Sequence, residues 1–345
     1  MKKFIFLISL LSLLAIFSIA KELFYLQLAW IIIGFISFFF LSKFKTHNLQ
    51  PFWPFIYLLT IILLSAVFFE PETRGSHRWL TLFFIRFQPS EFAKPLIIFS
   101  LAGLFSSFAN IRFKNIFLFL AFFLIPFFLI LKQPDLGNAL VYLFIFAVLI
   151  LALNFKPHFF ILVAVIILLT SPILWNNLAP YQKARLTSFF TPQYDISGEG
   201  YNALQALIAV GSGETFGRGF GQGTQSRLRF LPERHTDFIF SSFVEETGFI
   251  GGFMLLVLYL FLFLKIVSYL RDVHDSFSRF FIIGIFSQIF IQVFINCGMN
   301  LGILPITGIT LPLFSYGGSS IVSTFVSLGI VNGMRETDQQ TIAIN

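Results

Sequence analysis

The chain has little charge and a single cysteine. Charged residues make up 11% of its 345 positions, against about 25% in ordinary globular proteins, whereas 57% are hydrophobic and 52 are phenylalanine. This composition excludes the two soluble domains that the length alone would allow. Because Cys297 stands alone, an intramolecular disulfide framework and a multi-cysteine metal site are excluded as well. The net charge of +7 does not indicate nucleic acid, since no basic run interleaved with aromatic residues accompanies it.

Long apolar runs recur along most of the chain, at about the 20 residues that a helix needs to cross a bilayer. They predict an all-α polytopic membrane protein, a single integral membrane domain over residues 1–345 with ten transmembrane helices. The predicted spans lie near residues 4–20, 23–42, 52–69, 91–109, 115–131, 136–154, 158–175, 242–268, 277–299 and 317–334. The first run is longer than the core of a usual signal peptide and no small-residue cleavage site follows it, so we expect a span there too.

The distribution of lysine and arginine predicts the orientation of these helices. The short loops and ends on one side carry eleven of these residues, and the short loops opposite carry five. Basic residues accumulate on the cytoplasmic side of membrane proteins. We therefore expect both termini in the cytoplasm and the long loop, about residues 176–241, on the outer side.

Two segments break the apolar pattern. The glycine series from Gly211 to Gly223 lacks the ending of a phosphate-binding loop and has no strand-turn-helix context, so close packing is the favoured role. The uncharged segment from Asn296 to Gly318 carries prolines, glycines and hydroxyl groups between two spans. Irregular backbone near a membrane needs cover from protein or a water-filled cavity. This segment is predicted to be re-entrant or to line a cavity before the last helix.

Two polar groups stand at the predicted outer ends of helices. Glu91 and Lys94 share one helical face, as an inward polar face near the outer mouth or, alternatively, as a capped helix with a snorkelling lysine. Asp135 follows a proline turn, where it could cap the next helix or serve a site. Both interpretations stay open at this point.

The stretch from Arg227 to Gly252 holds the strongest candidate for chemistry, since titratable groups are costly beside a membrane-length apolar run. His235 and Asp237 offer too few ligands for a zinc site. If the substrate is a lipid-linked sugar, Asp237 could act as general base on a sugar hydroxyl, because a pyrophosphate leaves as an anion. By helical phase Glu245 is the expected neighbour of Asp237 in a cavity. The alternative is that Asp237 merely caps a helix.

Several motifs resemble the SEDS family (shape, elongation, division and sporulation), most closely its RodA branch, with FtsW second. They run in order along essentially the whole chain: Gly75-Ser-His-Arg-Trp79, Gln88-Pro-Ser-Glu-Phe-Ala-Lys94, Gln133-Pro-Asp-Leu-Gly137, Leu231-Pro-Glu-Arg-His-Thr-Asp-Phe-Ile-Phe240 and Leu311-Pro-Leu-Phe-Ser-Tyr-Gly-Gly-Ser319. The resemblance implies a peptidoglycan glycosyltransferase of the bacterial cytoplasmic (inner) membrane. It would polymerise lipid II on the outer face during cell elongation and shape maintenance. Its implied partners are a class B penicillin-binding transpeptidase and other membrane proteins of the elongation complex.

The resemblance also assigns roles to residues. Asp237 matches the essential loop aspartate proposed as the catalytic base, and Trp79 matches an important tryptophan of the first large outer loop. The remaining expected substrate-binding residues are Glu91, Lys94, Asp135, Tyr181, Arg185, Arg234, His235, Glu245 and Ser319. No cofactor is assigned, and a divalent cation stays open with no metal ligands named.

One position departs from the family pattern. Relatives often carry an acidic residue eight positions before the aspartate, where this chain has Arg229. A metal site or carboxylate pair that relies on that residue is therefore doubtful here, whereas Asp237 as a lone base is less affected. Two other classes of function stay open: a flippase that moves lipid II across the membrane, and a non-enzymatic scaffold for the transpeptidase.

Overall fold

The chain forms a helical membrane protein in a computed structural model that describes residues 1–44, 46–71, 78–82, 85–108, 115–153, 183, 187, 189, 198–228 and 230–344. Within these ranges the helices are α1 Lys2–Ile19, α2 Phe24–Ser42, α3 Trp53–Ala66, α4 Pro89–Ser106, α5 Asn115–Lys132, α6 Leu136–Leu151, α7 Glu199–Ser212, α8 Thr224–Arg227, α9 Ile239–Asp272, α10 Ser276–Asn300 and α11 Gly318–Ile344. Short 3-10 turns cover Lys21–Leu23, Thr46–Phe52 and Val67–Phe69.

Six helical stretches of the described chain are long and apolar enough to cross a membrane. They are Lys2–Ile19, Lys21–Ser42, Leu49–Phe69, Asn115–Lys132, Ile239–Asp272 and Ser276–Asn300. Each coincides with a predicted span, and the prediction of a multi-pass membrane protein is confirmed. The predicted spans at 91–109, 136–154 and 317–334 are also helical but are not among the six, and 158–175 lies outside the described residues. The number of ten helices stays a prediction.

A two-stranded hairpin precedes α4 and was not part of the all-α prediction. Strand β1, Leu80–Leu82, pairs antiparallel with β2, Ile85–Phe87, so that Leu80 lies opposite Phe87. Each strand alternates apolar and polar side chains with a period of two, which suits an exposed hairpin. It leads directly into Gln88 and the first turn of α4.

Helix α10 lies at the centre of the bundle. Of its most apolar stretch 67% is buried, whereas the other five candidate spans are at most 39% buried. Helices in a membrane associate through close packing and hydrogen bonds, because lipid removes the hydrophobic driving force between them. Four amide side chains of α10 are turned inward, and Gln288, Gln292, Asn296 and Asn300 are all buried.

Helix α9 breaks at Gly248, where the backbone is non-helical with a φ of 71°. A continuous helix would bond Phe249 to Glu245 and Ile250 to Glu246 across this point. The glycine-rich loop satisfies all four freed groups. The amides of Arg218 and Gly219 donate to the two glutamate carbonyls at 3.0 Å each, and the carbonyls of Glu214 and Thr215 accept from Phe249 and Ile250 at 2.8 and 3.2 Å. The predicted packing role of this glycine series is confirmed.

Candidate active site

Asp237 lies in a tight turn immediately before α9. The carbonyl of Glu233 accepts hydrogen bonds from the amides of Thr236 and Asp237 at 3.1 Å each and from Phe238 at 3.3 Å. Phe238 occupies the N-cap position of α9 and no side chain caps the helix there. Asp237 thus directly precedes the N-cap position, and its role as base or cap stays a prediction. Its side chain is half-buried at the edge of the bundle.

The irregular segment before α11 packs against this turn. Between Leu301 and Gly317 the described backbone contains no helix, whereas residues 296–300 of the segment predicted to be irregular belong to α10. Ser315 Oγ donates to the carbonyl of Thr236 at 2.7 Å, and the Tyr316 amide donates to the carbonyl of His235 at 2.9 Å. A Cβ added at Gly308 would lie 3.4 Å from Asp237 Oδ2. The carboxylate therefore faces glycine backbone in this segment.

Asp135 joins a second polar cluster. Its Oδ1 accepts from the Asn138 amide at 3.3 Å, so the predicted cap of α6 is confirmed. Its Oδ2 accepts from Asn138 Nδ2 at 2.8 Å, Gln88 Nε2 at 3.1 Å and Ser90 Oγ at 3.4 Å. The carboxylate thus does more than cap, since it fastens the start of α4 to the start of α6.

Glu91 and Lys94 form an ion pair one turn into α4. Lys94 Nζ lies 2.6 Å from Glu91 Oε1, and Lys94 is fully buried. The snorkelling alternative for this lysine is therefore wrong, because burial within the bundle keeps its ammonium group from the membrane surface. Ser319 also belongs here, since its Oγ accepts from the Gln88 amide at 2.9 Å and so joins the starts of α4 and α11.

Asp237 and the cluster around Asp135 border the same stretch of backbone. A Cβ at Gly137 would come within 2.6 Å of the carbonyl of Thr307, next to the Gly308 that faces Asp237. The Asp135 cluster and Asp237 thus both lie close to residues 307–309. The structure brings together groups that are about 100 residues apart in the chain.

Glu245 does not lie where helical phase predicted it. It is fully buried, and its carboxylate accepts from the amides of Gln225 and Ser226 at 2.8 and 3.1 Å and from the hydroxyls of Thr224 and Ser226 at 3.3 and 2.9 Å. The expectation of a cavity neighbour for Asp237 is corrected accordingly. The loop from Gly223 folds back over this face of α9 and uses the carboxylate to hold α8.

The remaining predicted site residues have varied surroundings. Trp79 is 40% exposed, while its neighbour Arg78 donates to the carbonyls of Gln133 and Pro134. Arg234 and His235 are half-buried beside Asp237, and the His235 ring packs edge-on against Tyr316 at 5.6 Å. Burial lowers the pKa of His235 from its ordinary value of 6.5, which favours the neutral ring. The predicted residues Tyr181 and Arg185, and the departing Arg229, lie outside the described residues.

No metal centre is found among the described residues. Nowhere in those ranges do three or more histidine, cysteine, aspartate or glutamate side chains come together in a group that could hold an ion. The divalent cation therefore stays a prediction without a site.

The chain is similar to cell-wall proteins over nearly all of its length. The family model for FtsW, RodA and SpoVE, described as cell cycle protein, matches residues 3–340. Peptidoglycan glycosyltransferase MrdB of Escherichia coli strain K12 is 38% identical over 286 residues, which cover 81% of this chain and 76% of that protein. The protein of the same name from Helicobacter pylori is 36% identical over 343 residues, covering 96% and 88% of the two chains.

Two solved structures share the fold. One, described as "Structural coordination of polymerization and crosslinking by a peptidoglycan synthase complex", gives a TM-score of 0.86 at 30% identity and covers 98% of this chain and 97% of that one. The rod shape determining protein RodA of Thermus thermophilus gives 0.73 at 29% identity, covering 97% and 95%. Together with the match over residues 3–340, these similarities show that the chain belongs to the SEDS family, the family of FtsW, RodA and SpoVE.

Proposed function

We propose that this chain is a peptidoglycan glycosyltransferase that polymerises lipid II, with Asp237 as the general base. The observation that carries the proposal is the placement of Asp237 Oδ2 against the bare backbone of Gly308. The relatives named peptidoglycan glycosyltransferase support the substrate class. Because the carboxylate is half-buried at a turn, a substrate can reach it from the edge of the bundle.

The chemistry needs one carboxylate. Asp237 accepts the proton of an acceptor sugar hydroxyl, and the hydroxyl oxygen forms a bond to the anomeric carbon of the donor sugar. The bond from that carbon to the lipid pyrophosphate breaks at the same time, and the pyrophosphate departs as an anion without needing an acid. Cationic groups stabilise such a leaving group. We assign this role to Arg234 and Arg185.

The second polar cluster is proposed to shape the substrate groove. Lys94 is already bound to Glu91 inside the bundle, so direct contact with a phosphate would require that pair to open. Asp135 and Ser319 hold the ends of α4, α6 and α11 together beside residues 307–309. We therefore assign Glu91, Lys94, Asp135 and Ser319 to the groove wall and Trp79 and His235 to its rim, and we keep Tyr181 as a proposed substrate-binding residue.

The cellular setting follows from the same proposal. A solved neighbour described as a peptidoglycan synthase complex supports a class B penicillin-binding transpeptidase as partner, together with other membrane proteins of the elongation complex. The short loops and ends on the side of the termini carry eleven lysines and arginines, against five opposite, which supports cytoplasmic termini. We propose a single membrane domain of ten helices in the bacterial inner membrane, with the loop at about 176–241 and the catalytic turn on the outer face.

One assay separates this function from a flippase and from a scaffold. The purified chain with its transpeptidase partner is given labelled lipid II, and products are resolved by strand length. We expect polymer from the wild type and from Asp272→Asn, which removes the partner of Arg335 near the other end of α9, but not from Asp237→Asn. A flippase would move labelled lipid between leaflets without lengthening a strand. A scaffold would do neither.

A further inference from the structure

Asn300 bridges two backbone groups that a longer α9 would join directly. Ser241 follows Asp237 by four residues, so in a continuous helix its amide would donate to the carbonyl of Asp237. The side chain of Asn300 takes both places instead. Its Oδ1 accepts from the Ser241 amide at 3.1 Å, and its Nδ2 donates to the Asp237 carbonyl at 3.0 Å. The primary amide thus takes the place of the hydrogen bond that would extend α9 to Asp237, and Asp237 stays outside the helix.

The bridge is sealed from solvent and fully engaged. Asn300 and Ser241 are both 0% exposed. The Ser241 hydroxyl also donates to Asn300 Oδ1, and Asn300 Nδ2 makes a second bond to the Asn296 carbonyl at 2.8 Å. A buried amide with every group satisfied has one favourable orientation, and it therefore fixes the atoms that it bonds.

Asn296 adds a second restraint one turn earlier on α10. Its Nδ2 donates to the Asp237 carbonyl at 3.0 Å and to the Ile309 carbonyl at 2.7 Å. One amide group therefore connects the turn that carries Asp237 to the segment that carries Gly308. These two bonds set the separation between the carboxylate and the backbone that it faces.

We propose that Asn300 is a positioning residue for Asp237, with Asn296 as its second support, an inference that rests on the proposed function. Asn300 keeps Asp237 out of α9, and Asn296 holds the turn against residues 307–309. Neither amide touches the substrate. If Asp237 joined the helix, its Cα and carboxylate would move away from Gly308, and a displacement of about 1 Å at a reacting group can lower a rate about 10²-fold.

The variant Asn300→Asp tests the bridge at constant size. A carboxylate still accepts from Ser241 but cannot donate to the Asp237 carbonyl. We expect kcat for lipid II polymerisation to fall about 10²-fold while KM changes little. The new negative charge near Asp237 raises the pKa of that carboxyl, so the acid limb of the kcat/KM profile moves to higher pH. Because the added charge alone moves this limb, the fall in kcat at constant KM, referred to the amount of folded enzyme, is the readout that separates positioning from a merely structural role.

Two further measurements keep the inference falsifiable. Asn296→Leu removes both donations of Asn296 without adding charge, and we expect a lower kcat there even if Asn300→Asp does not fold. Hydrogen exchange over residues 233–242 requires no activity, and we expect it to be faster in both variants, because the turn amides lose their restraint. The control is Gln292→Leu, one turn before Asn296, whose side chain accepts from Gln288 at 3.5 Å. We expect this variant to keep the wild-type kcat and the wild-type rate of hydrogen exchange over residues 233–242.

The outcomes distinguish the two proposals. If wild type polymerises lipid II while both asparagine variants keep kcat and slow exchange, the positioning inference fails and the proposed function stands. If wild type makes no polymer, the proposed function fails. Faster exchange over 233–242 would then still show that the two amides fix the turn, whereas unchanged exchange would overturn that as well.

Discussion

Gly217 and Gly248 pack backbone against backbone where α9 is interrupted. A Cβ at Gly217 would lie 2.6 Å from the Gly248 nitrogen, and a Cβ at Gly248 would lie 2.3 Å from the Gly217 nitrogen. Both have positive φ, at 81° and 71°. The glycine loop therefore inserts its backbone at the break in α9 and joins the chain before α8 to the helix that begins just after Asp237.

Replacing Gly248 with alanine should destabilise the protein. A Cβ there would meet backbone atoms that cannot move aside, and a residue with a side chain is strained at positive φ by about 1–3 kcal/mol. We expect a lower thermal unfolding midpoint in detergent for Gly248→Ala. The matched control is Gly211→Ala in α7, where nothing lies within 4 Å of an added Cβ. An alanine there should be neutral or slightly stabilising, because it favours helix.

The Glu91–Lys94 pair makes a prediction about buried charge. Lys94→Met removes the cation but leaves the Glu91 carboxylate buried, which typically costs about 3–5 kcal/mol. The double variant Lys94→Met with Glu91→Gln removes both charges and should recover much of that loss. Unfolding midpoints of the two single variants and the double variant complete a double-mutant cycle. Additive effects would contradict a coupled pair.

His235 should make stability dependent on pH. Burial lowers the pKa of the folded form below the ordinary 6.5, so the unfolded chain binds the proton more readily between those two values. The contribution of the neutral ring is therefore complete above about pH 6.5 and is lost as the pH falls through this window. We expect His235→Phe to reduce the change of the unfolding midpoint with pH between about pH 5 and 7, roughly the range in which histidine titrates. An unchanged pH dependence of the midpoint in His235→Phe would contradict this assignment.

The polar residues of the site could be predicted from the sequence, but their geometry could not. Asp237, the Asp135 cap and the Glu91–Lys94 pair followed from local spacing and the cost of charge beside a membrane. Spacing could not show that Lys94 is wholly buried, because that depends on helices distant in the chain. Glu245 was misplaced for a related reason: helical phase gives the face of a residue but not which loop covers it.

The role of Asn300 shows the same limit more sharply. In the sequence, Asn296 and Asn300 belong to the polar segment that was predicted to be irregular, whereas the structure places both at the end of α10, four apart and so on one face. Nothing in that spacing shows that their amides replace a hydrogen bond of another helix. The sequence signal is the pairing of inward asparagines with an irregular segment, since both imply backbone groups that lack helical partners.

The role of Asp237 is tested most directly by the rate of sugar transfer in Asp237→Asn alongside its binding of lipid II. Asparagine keeps the size of the side chain but cannot accept the proton, and a general base contributes about 10²–10⁴-fold. We expect lipid II to bind with nearly wild-type affinity while transfer slows by at least about 10²-fold. Transfer by Asp237→Asn at the wild-type rate, with lipid II bound equally well, would contradict the account.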